Sequence, residues 1–123
     1  MNILLVDDSK TMRNIQKKIL EGLGAVTFTE AADGLEALKA LGAAPAGFGL
    51  VLIDWNMPNM DGITLVARIR ATDRKTPLIM VTTEAEKGRV LEAIKAGVNN
   101  YALKPFTPDA LLEKVKQTLG RAA

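Results

Sequence analysis

The chain has 123 residues, 48% of them hydrophobic and 24% charged, with a formal net charge of +2. That length reads as one domain over residues 1–123, able to bury roughly two-thirds of its unfolded surface in a single core. Cysteine and histidine are both absent, which excludes disulfides, thiolate or imidazole metal sites, a Ser-His-Asp triad and a histidine general base, and leaves acid–base and metal chemistry to carboxylates and lysines.

The first residues, Asn2 to Val6, form an apolar strand with no basic region or cleavage site before it, so no signal peptide is expected. An amphipathic helix from about Lys10 to Leu23 follows. Met12, Ile15, Ile19 and Leu23 share its inward face, and Arg13, Lys17, Lys18 and Glu21 the outer one. Val26 to Ala31 is a second strand. Asp33 caps a short helix through Leu41, and Glu36 completes a capping box. Gly42 to Gly49 is a loop too short for an interdomain linker. Leu50-Val51-Leu52-Ile53 is a continuous apolar run, as in strands buried on both faces of a parallel sheet, and it stops at Asp54.

Asn56, Pro58, Asn59, Asp61 and Gly62 make the turn after it. A helix then runs to about Thr72 with Ile63, Val66 and Ile69 inward. Leu78 to Val81 is a fourth apolar strand, ending at Thr82-Thr83. A helix from about Ala85 to Ala96 places Val90, Leu91 and Ile94 inward and stops at Gly97. Val98 to Leu103 holds the last short strand, before Lys104-Pro105. The final helix starts with Thr107 as N-cap, Pro108 at its first position and Asp109 at its positive dipole end. Its apolar stripe is Leu112, Val115 and Leu119. No apolar run reaches the ~18 residues of a membrane span. The small positive charge does not by itself argue for nucleic acid.

Five β–α units with right-handed crossovers give an α/β fold, a five-stranded parallel sheet with helices on both faces. The flavodoxin-like order 2-1-3-4-5 is usual for such sheets. It gathers the carboxyl ends of strands one, three, four and five around one crevice. Those ends carry Asp7 and Asp8, Asp54, Thr82 and Lys104. Each alone has an ordinary explanation: a helix cap, a strand threonine, a surface lysine. Together on one edge they read as a site.

Two carboxylates ~4 Å apart repel by about 4 kcal/mol at an effective dielectric near 20. Three tolerate one another only with a cation or with shifted pKa values. Oxygen donors alone point to Mg²⁺ or Mn²⁺. A carboxylate beside such an ion, with an ammonium and a hydroxyl opposite, suits an aspartyl-phosphate.

The segments Leu5-Val6-Asp7-Asp8-Ser9, Asp54-Trp55-Asn56-Met57-Pro58-Asn59-Met60-Asp61-Gly62, Met80-Val81-Thr82-Thr83-Glu84 and Lys104-Pro105-Phe106 resemble response-regulator receiver domains, most of all their stand-alone chemotaxis members. The likeness covers essentially the whole chain. That family is itself a standard example of the 2-1-3-4-5 order, so the order is not an independent inference from spacing.

The resemblance implies a phosphorylation-dependent switch of a two-component system. Asp54 would accept a phosphoryl group from a phosphohistidine on a sensor histidine kinase, or from acetyl phosphate. Asp8, Asp54, the Asn56 backbone carbonyl and, through water, Asp7 would hold Mg²⁺. Lys104 would pair with Asp54 and then with the phosphoryl group, and Thr82 would bond a phosphoryl oxygen. The Lys104–Pro105 peptide would be cis. Tyr101 would swing inward on activation behind Thr82. The output face would be the fourth helix, fifth strand and fifth helix, at Lys87, Val90, Ile94, Val98, Tyr101 and Lys114. Asn56, Thr83 and Glu84 would tune dephosphorylation.

The implied protein is a cytoplasmic monomer without an output domain, acting on a flagellar motor switch protein and served by an auxiliary phosphatase. It catalyses only its own phosphorylation and dephosphorylation. Thr83 is bulkier than the family's usual residue there, and Ser9 replaces an aromatic of some chemotaxis members. The alternatives are a phosphate sink or phosphorelay shuttle on the same chemistry, a small aspartate-nucleophile phosphatase, and a flavodoxin-like electron carrier. Asp7-Asp8 would repel the flavin phosphate of the last. The phosphatase pattern of Asp-x-Asp after strand one is missing.

Overall fold

A computed structural model describes residues 1–122, with side chains through residue 120. The strands are β1 (Asn2–Val6), β2 (Thr27–Ala31), β3 (Leu50–Ile53), β4 (Leu78–Thr82) and β5 (Asn100–Leu103). The helices are α1 (Lys10–Leu20), α2 (Gly34–Ala43), α3 (Gly62–Arg70), α4 (Lys87–Ala96) and α5 (Pro108–Ala122). All strand pairs are parallel, in the order β2-β1-β3-β4-β5.

Strand parity sorts the core into two layers. Leu4, Val6, Val51, Ile53, Leu78, Met80 and Tyr101 point to one side, where Ala37 of α2, Leu65, Val66 and Ile69 of α3 and Ala93 of α4 cover them. Ile3, Leu5, Leu50, Leu52, Ile79, Val81 and Ala102 point to the other, under Leu20 of α1 and Leu111 and Val115 of α5. Burying each large aliphatic is worth about 1.5–3 kcal/mol. The sheet is therefore a rigid base for whatever its ends carry.

The helix starts follow their caps. Ser9 Oγ accepts from Met12 N at 3.1 Å, Asp61 Oδ1 from Thr64 N at 2.9 Å and Thr107 Oγ1 from Ala110 N at 3.1 Å. Asp33 Oδ1 accepts from Glu36 N at 2.8 Å, while Glu36 Oε1 reaches past the cap to Ala32 N at 3.1 Å.

Several helix details differ from the sequence pattern. α1 stops at Leu20 and a 3₁₀ turn, Glu21–Leu23, takes up the remainder. Its buried residues are Gln16 and Leu20, whereas Ile15 is 43% exposed. α4 starts at Lys87, and it is Ala93 that is buried, with Leu91 and Ile94 about half exposed. Glu86 ahead of it makes no side-chain cap, so nothing draws the helix back to Ala85. In α5 the buried line is Leu111, Val115 and Thr118, with Leu112 and Leu119 only partly covered.

The turn before β4 is built by Asp73. Its carboxylate accepts from Lys75 N at 2.9 Å, from Thr76 N at 3.1 Å and from the Thr76 hydroxyl. The Thr76 hydroxyl foremost, then the two amides, hold the Asp73 carboxyl below its usual pKa against the opposing effect of burial. A lowered folded-state pKa adds stability above the unfolded value, and that stability is lost as pH falls through the folded value. Asp73→Asn is expected to lower stability at pH 7 by about 1 kcal/mol. In urea melts the gap from wild type should close as pH falls below the usual carboxylate range, through the lowered Asp73 value. A gap constant with pH would contradict this account of the turn.

Candidate functional site

The site follows from register. Ala31, Val6, Ile53, Met80 and Tyr101 lie in one row across the sheet. Asp7 and Asp54 come one residue later on neighbouring strands. The row continues in backbone bonds, Asp7 N to Ala31 O at 3.1 Å and Asp54 N to Val6 O at 2.9 Å. Thr82 ends β4, and Lys104 N donates to its carbonyl at 2.8 Å. The cis peptide at Lys104–Pro105 follows directly.

Asp7 is 1% exposed and Asp54 8%, while Asp8 is open to solvent. A carboxylate oxygen from each of the three lies within 4.8 Å of the others. Lys104 Nζ sits 2.9 Å from Asp7 Oδ2 and 3.4 Å from Asp54 Oδ1. The sequence points to a pairing of Lys104 with Asp54; the shorter contact is to Asp7. Burial pushes the Asp54 carboxyl above its usual pKa. Lys104 pulls it down, and Asp7 and Asp8 push it up again. The cluster is acidic oxygen throughout, and opposite ligands of an octahedral Mg²⁺ stand about 4.2 Å apart. Three carboxylates so placed fit a small hard cation, some of them through water.

Two supports of this edge have no signal in the sequence pattern. Arg13, on the outer face of α1 by periodicity, donates Nη1 to the Asp7 carbonyl at 2.5 Å and Nε to Glu30 at 2.9 Å. It thereby ties the Asp7 backbone to β2. Asn59, at φ 68°, donates Nδ2 to Asp33 Oδ2 at 2.7 Å. That bond moors the β3–α3 loop, which carries Asn56, to the cap of α2. The left-handed backbone at Asn59, which Asn tolerates better than most residues, gives the loop the turn that this bond needs.

Thr82 is fully buried, and its Oγ1 accepts from Glu84 N at 3.3 Å. Tyr101 is 9% exposed and donates its hydroxyl to the Glu84 carbonyl at 2.6 Å. The inward position expected of it only after activation is thus the one adopted here, because the ring gains burial and the hydroxyl still finds an acceptor. Asn56 and Thr83 are exposed and Glu84 half-buried around the mouth. A cavity of about 690 Å³ opens between α4, β5 and α5, and Val90, Ile94, Val98, Tyr101 and Lys114 line it while Lys87 does not. Trp55, next to Asp54, is 3% exposed, with the Arg89 guanidinium 5.2 Å from its ring centre.

The family model of the response regulator receiver domain matches residues 3–116. The chain belongs to that family. This receiver is 49% identical to chemotaxis protein CheY1 of Helicobacter pylori over 122 residues, covering 98% of each chain. It is 45% identical to chemotaxis protein CheY of Pseudomonas aeruginosa over 123 residues, again covering 98% of each. Among solved structures, a CheY-like receiver domain protein of Methanospirillum hungatei superposes with a TM-score of 0.89 at 32% identity, over 98% of this chain and 94% of that one. The chain is thus a receiver domain of a two-component system, and the curated relatives it matches are named as chemotaxis proteins. No helix among its described residues is long and apolar enough to cross a membrane.

Proposed function

We propose that this receiver is a switch set by phosphorylation of Asp54. The observation that carries the proposal is the convergence of Asp7, Asp8 and Asp54 within 4.8 Å of one another, with Lys104 bridging two of them. An Asp54 oxygen attacks the phosphorus of a phosphohistidine or of acetyl phosphate. The P–N or P–O bond to the donor breaks, and the leaving group takes the electron pair. A Mg²⁺ ion held by Asp8, Asp54 and the Asn56 carbonyl, with Asp7 behind water, would neutralise phosphoryl charge. Lys104, already 3.4 Å from Asp54, follows that charge. The Thr82 hydroxyl turns from Glu84 N to donate to a phosphoryl oxygen.

The product carries roughly −1.5 to −2 added charge. Movement at Thr82 then bears on the Glu84 segment, which holds Tyr101. Because Tyr101 is inward here, phosphorylation acts by fixing a rotamer already favourable, and the groove at Val90, Ile94, Val98, Tyr101 and Lys114 reads the difference. Lys87, outside the groove, would contribute charge at its approach. Asn56, Thr83 and Glu84 at the mouth set the rate at which water removes the phosphoryl group. The chain works as a receiver domain in the cytoplasm, with a sensor histidine kinase upstream. Relatives named as chemotaxis proteins support a flagellar motor switch protein as the target. Its catalysis is confined to its own acyl phosphate.

The test is intact-mass analysis after incubation with acetyl phosphate and Mg²⁺. One phosphoryl adduct, labile to hydroxylamine and prevented by EDTA, is expected. Multiple turnover of p-nitrophenyl phosphate would instead make the protein a phosphatase.

A further inference from the structure

The opposite edge of the sheet carries a second charged feature that phosphotransfer does not use. Helices of this fold run antiparallel to the strands they cover, so the carboxyl ends of α3 and α4 meet at the amino ends of β4 and β5. A hollow of about 370 Å³ lies there, lined by Arg70, Arg74, Lys95, Ala96, Gly97 and Asn99. Among the described residues its lining has three cations and no carboxylate.

Arg70 is held in place rather than left to wander. Its Nε donates to Gly97 O at 2.9 Å, Nη1 to Asp73 O at 3.1 Å and Nη2 to Asn99 Oδ1 at 2.9 Å. All three acceptors are neutral, so the guanidinium is positioned without its charge being cancelled. Asn99 Oδ1 also accepts from Leu78 N at 2.8 Å, which fixes the hollow to the start of β4. Gly97 has φ +121°, and a Cβ there would meet Arg70 Cγ at 2.7 Å and Nε at 3.0 Å. The glycine is thus the floor across which Arg70 lies. The Asp73 carboxylate faces its own turn at Lys75 and Thr76. Among the described residues no carboxylate comes within ion-pair distance of Arg70, Arg74 or Lys95. Burial pushes the Arg70 guanidinium below its usual pKa, and the neighbouring Arg74 charge adds to this against Asp73.

Helix dipoles account for one cation at each helix end, Arg70 for α3 and Lys95 for α4. They do not account for Arg74, nor for all three facing one concavity. Guanidinium groups bind phosphate oxygens in pairs through their forked N–H groups, and an ammonium adds a point charge. Three cations offer more donors and charge than one phosphate can match, whereas a diphosphate presents two sets of oxygens to them. We propose that this hollow binds a small multivalent oxyanion of the diphosphate class, as inorganic pyrophosphate or as the diphosphate end of a nucleotide. It is independent of the acidic edge and requires no metal.

The test titrates pyrophosphate, ADP and, for comparison, inorganic phosphate into the full chain in EDTA, followed by amide NMR. Saturable shifts centred on Gly97 and Asn99 are expected, with pyrophosphate at least ten-fold tighter than phosphate. Arg74→Ala/Lys95→Ala should weaken binding at least ten-fold by removing two of the three cations, and should fold normally, since among the described residues neither side chain is hydrogen-bonded or ion-paired. Lys39→Ala, on exposed α2, should leave it unchanged. Tighter binding of ADP than of pyrophosphate would identify a nucleotide site, and equal binding a diphosphate site. Shifts that fail to saturate, that centre on Asp7 and Asp54, or that weaken equally in Lys39→Ala would overturn the proposal.

Discussion

Asp54→Ala is expected to abolish phosphoryl incorporation from acetyl phosphate while leaving the fold intact and slightly more stable. The chemical loss should be complete within detection. Asp7, the other buried carboxylate, is tied to Lys104 at 2.9 Å and accepts from Ser9 N at 2.9 Å, so it is not free to take over as nucleophile. The gain in stability has a separate cause. Asp54 is a carboxylate that burial and two acidic neighbours disfavour, and its removal leaves the Asp7–Lys104 pair in place. Relief on the order of 1 kcal/mol is expected in EDTA, about 4 °C in Tm for a chain of this size. With saturating Mg²⁺ the order should reverse, because ligand binding stabilises only the protein that retains the site. Retained phosphoryl label on Asp54→Ala would overturn the acceptor assignment.

The largest structural effect is expected from Gly62→Ala. A Cβ at Gly62 would stand 2.3 Å from the Asp54 carbonyl oxygen and 2.8 Å from Trp55 Cα. Both are backbone atoms that cannot swing aside. Gly62 N also donates to Trp55 O at 2.7 Å, closing the loop back onto the site. The variant must therefore open that loop or shift α3, at a cost of about 3 kcal/mol or more. Its Mg²⁺ affinity should fall with it, since the displaced carbonyl belongs to Asp54 itself. Gly88→Ala is the matched control. It lies in α4, where a Cβ would meet nothing within 4 Å, and it should stabilise by about 0.5–1 kcal/mol through helix propensity. Equal urea midpoints for the two variants would contradict the close approach at Gly62.

The strands are readable in the sequence because a sheet covered on both faces needs unbroken apolar runs. Leu50–Ile53 and Leu78–Val81 have no other simple reading. The helices are less so, because a stripe shows which side is apolar but not how closely it approaches the sheet. In α4 the closest approach falls on Ala93, where a small residue fits, so Leu91 and Ile94 are left facing outward. In α1 the pattern favours Ile15, yet the buried neighbour is Gln16. Residues at strand ends are recoverable for a simple reason: topology alone brings Asp7, Asp54, Thr82 and Lys104 to one edge. Arg13 at the Asp7 carbonyl, Asn59 at Asp33 and Arg89 over Trp55 depend on side chains crossing between elements. No periodicity encodes those contacts.

Trp55 fluorescence tests the central claim most directly. The ring is buried beside Asp54 with Arg89 stacked on it, so a change of charge in the acidic cluster alters its surroundings. Mg²⁺ should quench it saturably, and beryllofluoride added afterwards should produce a further change that Asp54→Ala lacks. A spectrum indifferent to Mg²⁺ would mean that Asp7, Asp8 and Asp54 do not form a metal site, and the proposed switch chemistry would fail with them.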